Sequence, residues 1–166
     1  CWIALSVFGA LPYFFSGSCS FIDAIFETVS GLTTTGASIF PSPASLPRGI
    51  QFWRALTQWM GGMGILVLML ALLPKLSEGS VNLMKAESPG PISTKLRPRT
   101  GETARILYRI YIALTVAEAL LLRIAGLPLF DAITTALTTI STGGFSIRDA
   151  SIAYYPVSYT HLRAHE

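Results

Sequence analysis

Apolar runs of two lengths recur along the chain, and the lengths predict two kinds of helix. Residues Ala55 to Pro74 form a 20-residue stretch without a charge. At about 1.5 Å per helical residue, such a stretch crosses roughly 30 Å of hydrocarbon. The pattern predicts a helix from about Gly49 to Leu76. Ile106 to Leu122 is a second apolar stretch, broken only by Arg109 and Glu118, and reads as a spanning helix with one acid facing the bundle. Glu118 either acts within the membrane or reaches toward Arg123 or water near the surface. Trp2 to Phe15 is apolar but short, and Cys1 is not a start methionine; it reads as part of a first spanning helix that begins upstream. The other kind is shorter. Phe21 to Thr33 reaches only ~20 Å, and Ser20 and Asp23 stand in capping-box spacing at its start. A matching segment opens Pro128-Leu129-Phe130-Asp131, with a proline suited to a first helical turn and an acid near the positive end of the dipole. Asp23 and Asp131 read as helix caps rather than ion ligands.

These two short segments are copies of each other. Asp23-Ala24-Ile25 recurs as Asp131-Ala132-Ile133, and at the same 108-residue offset Thr34, Gly36, Ser38 and Ile39 recur as Thr142, Gly144, Ser146 and Ile147. Between the matched ends Val29 pairs with Leu137, Ser30 with Thr138, Leu32 with Ile140 and Thr33 with Ser141. An ungapped repeat that keeps polar, small and apolar classes in register is a duplicated structural unit. Both copies are predicted to be re-entrant helices that enter from the outer side and stop at threonine-rich turns.

Composition agrees with a membrane setting. The chain is 51% hydrophobic and 13% charged, with a mean hydropathy of +0.55, too apolar for an ordinary soluble domain. Seven basic residues (Lys75, Lys85, Lys95, Arg97, Arg99, Arg105, Arg109) face three acids (Glu78, Glu87, Glu102) between positions 75 and 109, whereas Ile39 to Phe52 carries only Arg48. The positive-inside rule makes the basic loop cytoplasmic. Pro89-Gly90-Pro91, Pro98 and Gly101 make it an extended connector. The net charge of +3 arises largely there, so it is no footprint of nucleic-acid binding. No basic leader with a cleavage site is evident, and Cys1 and Cys19 read as unpaired thiols.

The chemistry is expected where the short helices stop. A helix C-terminus carries about half a negative charge and unpaired carbonyls, which favour a cation. Thr34-Thr35-Gly36-Ala37-Ser38 and Thr142-Gly143-Gly144-Phe145-Ser146 then run outward as extended backbone. The main-chain carbonyls of Thr34, Thr35, Gly36, Thr142, Gly143 and Gly144 are the expected cation ligands, because carbonyl rings can replace an ion's hydration shell. Glycine is required where carbonyls turn inward at dihedrals a Cβ opposes.

With Phe21-Ile22-Asp23-Ala24, Gly31 through Ser38, Gln58-Trp59-Met60-Gly61-Gly62-Met63-Gly64-Ile65 and Thr138 through Ser146 in view, the chain resembles part of a Trk-type potassium uptake subunit of the Trk/Ktr/HKT superfamily, over about Ile3 to Tyr155. The resemblance implies an all-α membrane protein of the inner (cytoplasmic) membrane. Its helix, re-entrant pore loop, helix units are potassium-channel-like, four to a pore, with one essential glycine per filter strand, here Gly36 and Gly144. It also implies a homodimer and a cytoplasmic nucleotide-binding regulatory partner; K+ is the transported ion, and no cofactor is expected in this chain. On this reading residues 1–75 form one unit with a truncated start, 76–102 the connector, 103–155 the first helix and pore loop of a second unit, and 156–166 a tail foreign to the pattern. The remainder of the subunit is missing from this chain.

Other readings are weaker. Both histidines lie in the tail, no His-Glu-x-x-His motif exists, and the filter serines lack a candidate base, so no enzyme is predicted. A non-conducting scaffold or sensor built on re-entrant loops is the first alternative, and a secondary transporter the second. Two spanning helices between the copies make the repeat parallel rather than inverted, which favours a pore. Gly61-Gly62-Met63-Gly64 reads equally as a close-packing patch or an ion-facing one. Trp53 and Trp59 are expected in an interfacial belt or a packed core.

Overall fold

The computed structural model describes residues 2–65 and 100–154. Among them there is no strand, and the order is helical throughout: α1 (Trp2–Phe15), α2 (Phe21–Leu32), a 3-10 turn (Pro43–Ser45), α3 (residues 48–65), α4 (Thr100–Ile124), α5 (Leu129–Ile140) and a second 3-10 turn (Ser151–Tyr154). The helix expected from Gly49 to Leu76 is therefore present up to residue 65. Its remainder, most of the connector and the 156–166 tail lie outside the described residues.

The duplication is visible in three dimensions. α1 packs on α2 and α4 packs on α5, and both short helices have 12 residues. Small residues permit the close approach. Ala10 and Ala24 meet Tyr13 and Ile50 in one cluster, while Ala132 and Ala136 meet Leu122 and Leu127 in the other. A Cβ on Gly9 would lie 2.6 Å from the Thr28 methyl. The N-termini differ. Ser20 caps α2, its Oγ accepting from the Asp23 N–H at 3.3 Å and donating to Asp23 Oδ2 at 2.7 Å. Pro128 sits one residue before α5, in the cap position, without a side-chain cap; Asp131 is instead buried in an ion pair with Arg148 at 2.9 Å. Asp131 thus takes part in an ion pair that the capping expectation did not include.

The expected span from Gly49 to Leu76 runs beyond the described residues, which end at 65 on that side. Among the described residues no helix is both long and apolar enough to cross a membrane. α1 has 14 residues. α4, with 25, has the length but carries Glu102, Arg105, Arg109, Glu118 and Arg123. Burial is nevertheless inverted. Ile3, Phe8, Ile22 and Ile124 are 69–84% exposed, while Glu27, Arg54, Gln58, Thr28 and Thr57 are at most 2% exposed. Polar groups inside and large apolar groups outside is not what water selects.

Candidate filter strands

Each short helix ends in the same closed turn. At the first, the Thr34 N–H donates to Gly31 O (3.0 Å) and the Thr35 N–H to Ser30 O (3.0 Å); at the second, the Thr142 N–H donates to Thr139 O (2.7 Å) and the Gly143 N–H to Thr138 O (2.9 Å). These are the paired bonds of a Schellman ending, which places the residue after the cap in the left-handed region. Thr34 and Thr142 occupy that place, with φ of 54° and 53°. Glycine is the usual occupant, and a β-branched residue there stores strain of order 1–3 kcal/mol. The expectation of unpaired helix-end carbonyls is therefore corrected for Ser30, Gly31, Thr138 and Thr139, whose oxygens the turn consumes.

Two residues later comes the expected glycine. Gly36 and Gly144 both have φ of +77°. Their surroundings differ: a Cβ on Gly36 would collide with the Gly143 carbonyl, whereas one on Gly144 would meet nothing within 4 Å. The two strands thus abut at Gly36 and Gly143. In the second strand Thr142 and Gly144 are exposed while Gly143, Phe145 and Ile147 are buried, so alternate residues share one covered side.

Gln58 holds that covered face. Fully buried on α3, its Nε2 donates to Gly143 O at 2.7 Å and its Oε1 accepts from the Phe145 N–H at 3.1 Å. One carboxamide satisfies a donor and an acceptor of the same strand. The Gly143 oxygen is committed to this bond, and the Ala37 oxygen to the Ser30 hydroxyl at 2.6 Å. Among the described residues the carbonyls of Thr34, Thr35, Gly36, Thr142 and Gly144 accept no hydrogen bond.

Beyond the glycines both strands close on a serine. The Phe40 N–H donates to Ser38 Oγ and the Arg148 N–H to Ser146 Oγ, each at 3.1 Å and each at the repeat offset. Between these ends lies a buried ion pair. Arg54 Nε donates to Glu27 Oε1 at 2.8 Å, its Nη2 to Ser38 Oγ at 2.9 Å and its Nη1 to Ser146 O at 3.2 Å. Glu27 also accepts from the Ser38 hydroxyl (2.9 Å) and the Ile39 N–H (3.0 Å). The guanidinium lies 4.4 Å from the Phe145 ring centroid and 5.6 Å from that of Phe40. Burial of both charges is tolerable because each guanidinium nitrogen and both carboxylate oxygens have a hydrogen-bond partner.

The Gly61-Gly62-Met63-Gly64 patch is resolved as packing. A Cβ on Gly61 would strike the Leu32 backbone at the end of α2, and one on Gly62 would come within 2.7 Å of the Tyr111 hydroxyl and 3.1 Å of Ser141, beside the end of α5. α3 therefore wedges against both helix ends. The tryptophans fix it there: Trp53 Nε1 donates to Gly9 O at 2.9 Å, and Trp59 Nε1 to Thr115 Oγ1 at 3.1 Å. Both serve interhelical packing. Beyond the strands, Asp149 accepts from the Ser42 hydroxyl (2.9 Å) and the Ala44 N–H (3.2 Å), joining the loops that follow the two turns.

All ten nominated residues, Thr34 to Ser38 and Thr142 to Ser146, are thus brought into two adjoining turns. Three residues that hold them, Glu27, Arg54 and Gln58, were not assigned a role from sequence. A signal existed for two: an acid in the middle of a short apolar helix, beyond its capping turn, and an arginine just before a charge-free run are a candidate buried pair.

Comparison with known proteins bears on this geometry. The family model described as "TrkH: Cation transport protein" matches residues 1–162. The Trk system potassium uptake protein TrkH of Salmonella typhimurium is 52% identical over 157 residues, covering 93% of this chain and 32% of the relative. The Escherichia coli TrkG protein of the Trk system is 43% identical over the same length. The crystal structure of the potassium transporter TrkH from Vibrio parahaemolyticus superposes with a TM-score of 0.78 at 39% identity, covering 98% of this chain and 32% of that one. The chain spans about a third of the length of these relatives.

Proposed function

The chain belongs to the TrkH family of cation transport proteins, and from that premise we propose that it supplies two of the strands of a potassium uptake pore in the inner membrane. It is part of an all-α membrane protein of helix, pore loop, helix repeats, and it is not an enzyme. The observation that carries the pore reading is the symmetry of the two turns: Thr34/Thr142 and Gly36/Gly144 repeat their positive φ values to within a degree. Duplicated strain at matching places is what a duplicated ion site requires, because backbone oxygens can be aimed only by fixing dihedrals.

The ligand set is the carbonyls of Thr34, Thr35, Gly36, Thr142 and Gly144; Gly143, nominated with them, gives its oxygen to Gln58. The short helices direct the negative ends of their dipoles at the same place. Exposed apolar faces on α1, α2 and α4 are covered by lipid and by the rest of the subunit. Residues 1–75 act as one unit, 76–102 as a cytoplasmic connector and 103–155 as the beginning of a second. By resemblance, the complete subunit is a homodimer with a cytoplasmic nucleotide-binding regulator. The test is rubidium uptake by potassium-transport-deficient cells expressing the full-length subunit that carries this sequence. Sodium-resistant uptake is expected, and none at normal surface levels refutes the reading.

A further inference from the structure

Arg54 is buried, and it touches both strands. Its three nitrogens reach three different partners: the Glu27 carboxylate on α2, the Ser38 hydroxyl of the first strand and the Ser146 carbonyl of the second. Its guanidinium also lies near two rings, that of Phe145 in the second strand and that of Phe40 just past the first. No other described side chain bonds to both strands. We propose that Arg54, oriented by Glu27, is a positioning residue for ion selectivity: it sets the spacing and register of the outer ends of the two strands, and so the distance between the carbonyls below them. This rests on the pore reading above.

The physics favours a guanidinium for this task. Its planar fork offers donors in fixed directions, so three bonds define three relative positions, whereas an ammonium is a point charge on a flexible stem. Glu27 supplies the counter-charge, keeping the arginine from repelling the cation that the strands hold. Ser38 completes the triangle: its hydroxyl donates to Glu27 Oε1 while accepting from Arg54 Nη2. A salt bridge serving the fold alone would need none of the contacts to Ser38 and Ser146.

The test uses the full-length subunit, scoring rubidium uptake, its inhibition by external sodium, and surface protein. Arg54→Lys keeps the charge opposite Glu27 and loses the fork. Surface protein near the wild-type amount is expected, with potassium-over-sodium preference reduced about tenfold, the equivalent of one charge-assisted hydrogen bond. Ser38→Ala, at an exposed position, removes one corner of the triangle without leaving a buried charge unpaired, and should lower the preference in the same direction. It decides the matter if Arg54→Lys fails to reach the membrane. Wild-type selectivity in a surface-expressed Arg54→Lys subunit, or in Ser38→Ala, overturns the proposal. Gly36→Ser and Gly144→Ser in parallel keep the two levels apart: if those lose selectivity while the Arg54 and Ser38 variants keep it, only this inference fails. If the glycine variants are also unchanged, the pore reading fails with it.

Discussion

Gly36 and Gly144 share a dihedral but not an environment, so the same substitution should not cost the same at the two sites. A Cβ at φ near +77° costs on the order of 1–2 kcal/mol at either position. At Gly144 that is the whole penalty, since nothing lies within 4 Å of the added methyl. At Gly36 the methyl meets the Gly143 carbonyl, which cannot retreat easily because Gln58 grips it at 2.7 Å. Overpacking of this kind adds about 1–3 kcal/mol. The competent geometry should thus be depleted roughly five- to 150-fold more in Gly36→Ala than in Gly144→Ala. The assay is initial rubidium uptake with and without external sodium, normalised to surface protein, in potassium-transport-deficient cells expressing full-length variants. Both should lose uptake or selectivity, Gly36→Ala more severely, at near-normal protein levels, because a few kcal/mol at one strand does not unfold a large bundle. Equal losses, or a heavier loss at Gly144, would refute the steric argument. Wild-type behaviour in both would reduce the glycines to turn residues.

Three further outcomes are expected. Gln58→Leu leaves the Gly143 oxygen and Phe145 N–H buried without partners, at about 1–3 kcal/mol each, and should abolish selective uptake. Gln58→Glu should fail as well, since a carboxylate accepts from Phe145 but cannot donate to Gly143. Gly61→Ala drives a methyl into the Leu32 backbone and should lower the amount of folded subunit on a membrane-fraction blot, the fraction that remains transporting with ordinary selectivity; normal abundance would show that α3 can shift. Single cysteines at Ser45 and Ser93, in a subunit lacking the Cys19 thiol, should label from outside with an impermeant reagent at 45 only, and labelling at 93 alone would invert the topology.

The sequence by itself determined the elements and the repeat. A 3.6-residue helix cannot hide a break, so Ser20 at one end and the Thr-Thr-Gly turn at the other delimit α2 to within a residue, and the 108-residue offset carries the same limits to α5. Ten residues of the two strands were legible for the same reason: side-chain classes in register report a backbone conformation that must be made twice. Pairing across the fold was not legible. The left-handed φ of Thr34 and Thr142 belongs to a residue type that avoids it, and only the Schellman bonds of the finished helix ends hold it there. Gln58 stands 85 residues from Gly143 and Arg54 stands 92 from Ser146, and nothing local marks either as a partner. Hydrogen bonds between distant segments are decided by which helices pack. That packing was set in turn by bare glycine surfaces: Gly9 lets α1 close on α2, and Gly61 and Gly62 let α3 close on the ends of α2 and α5.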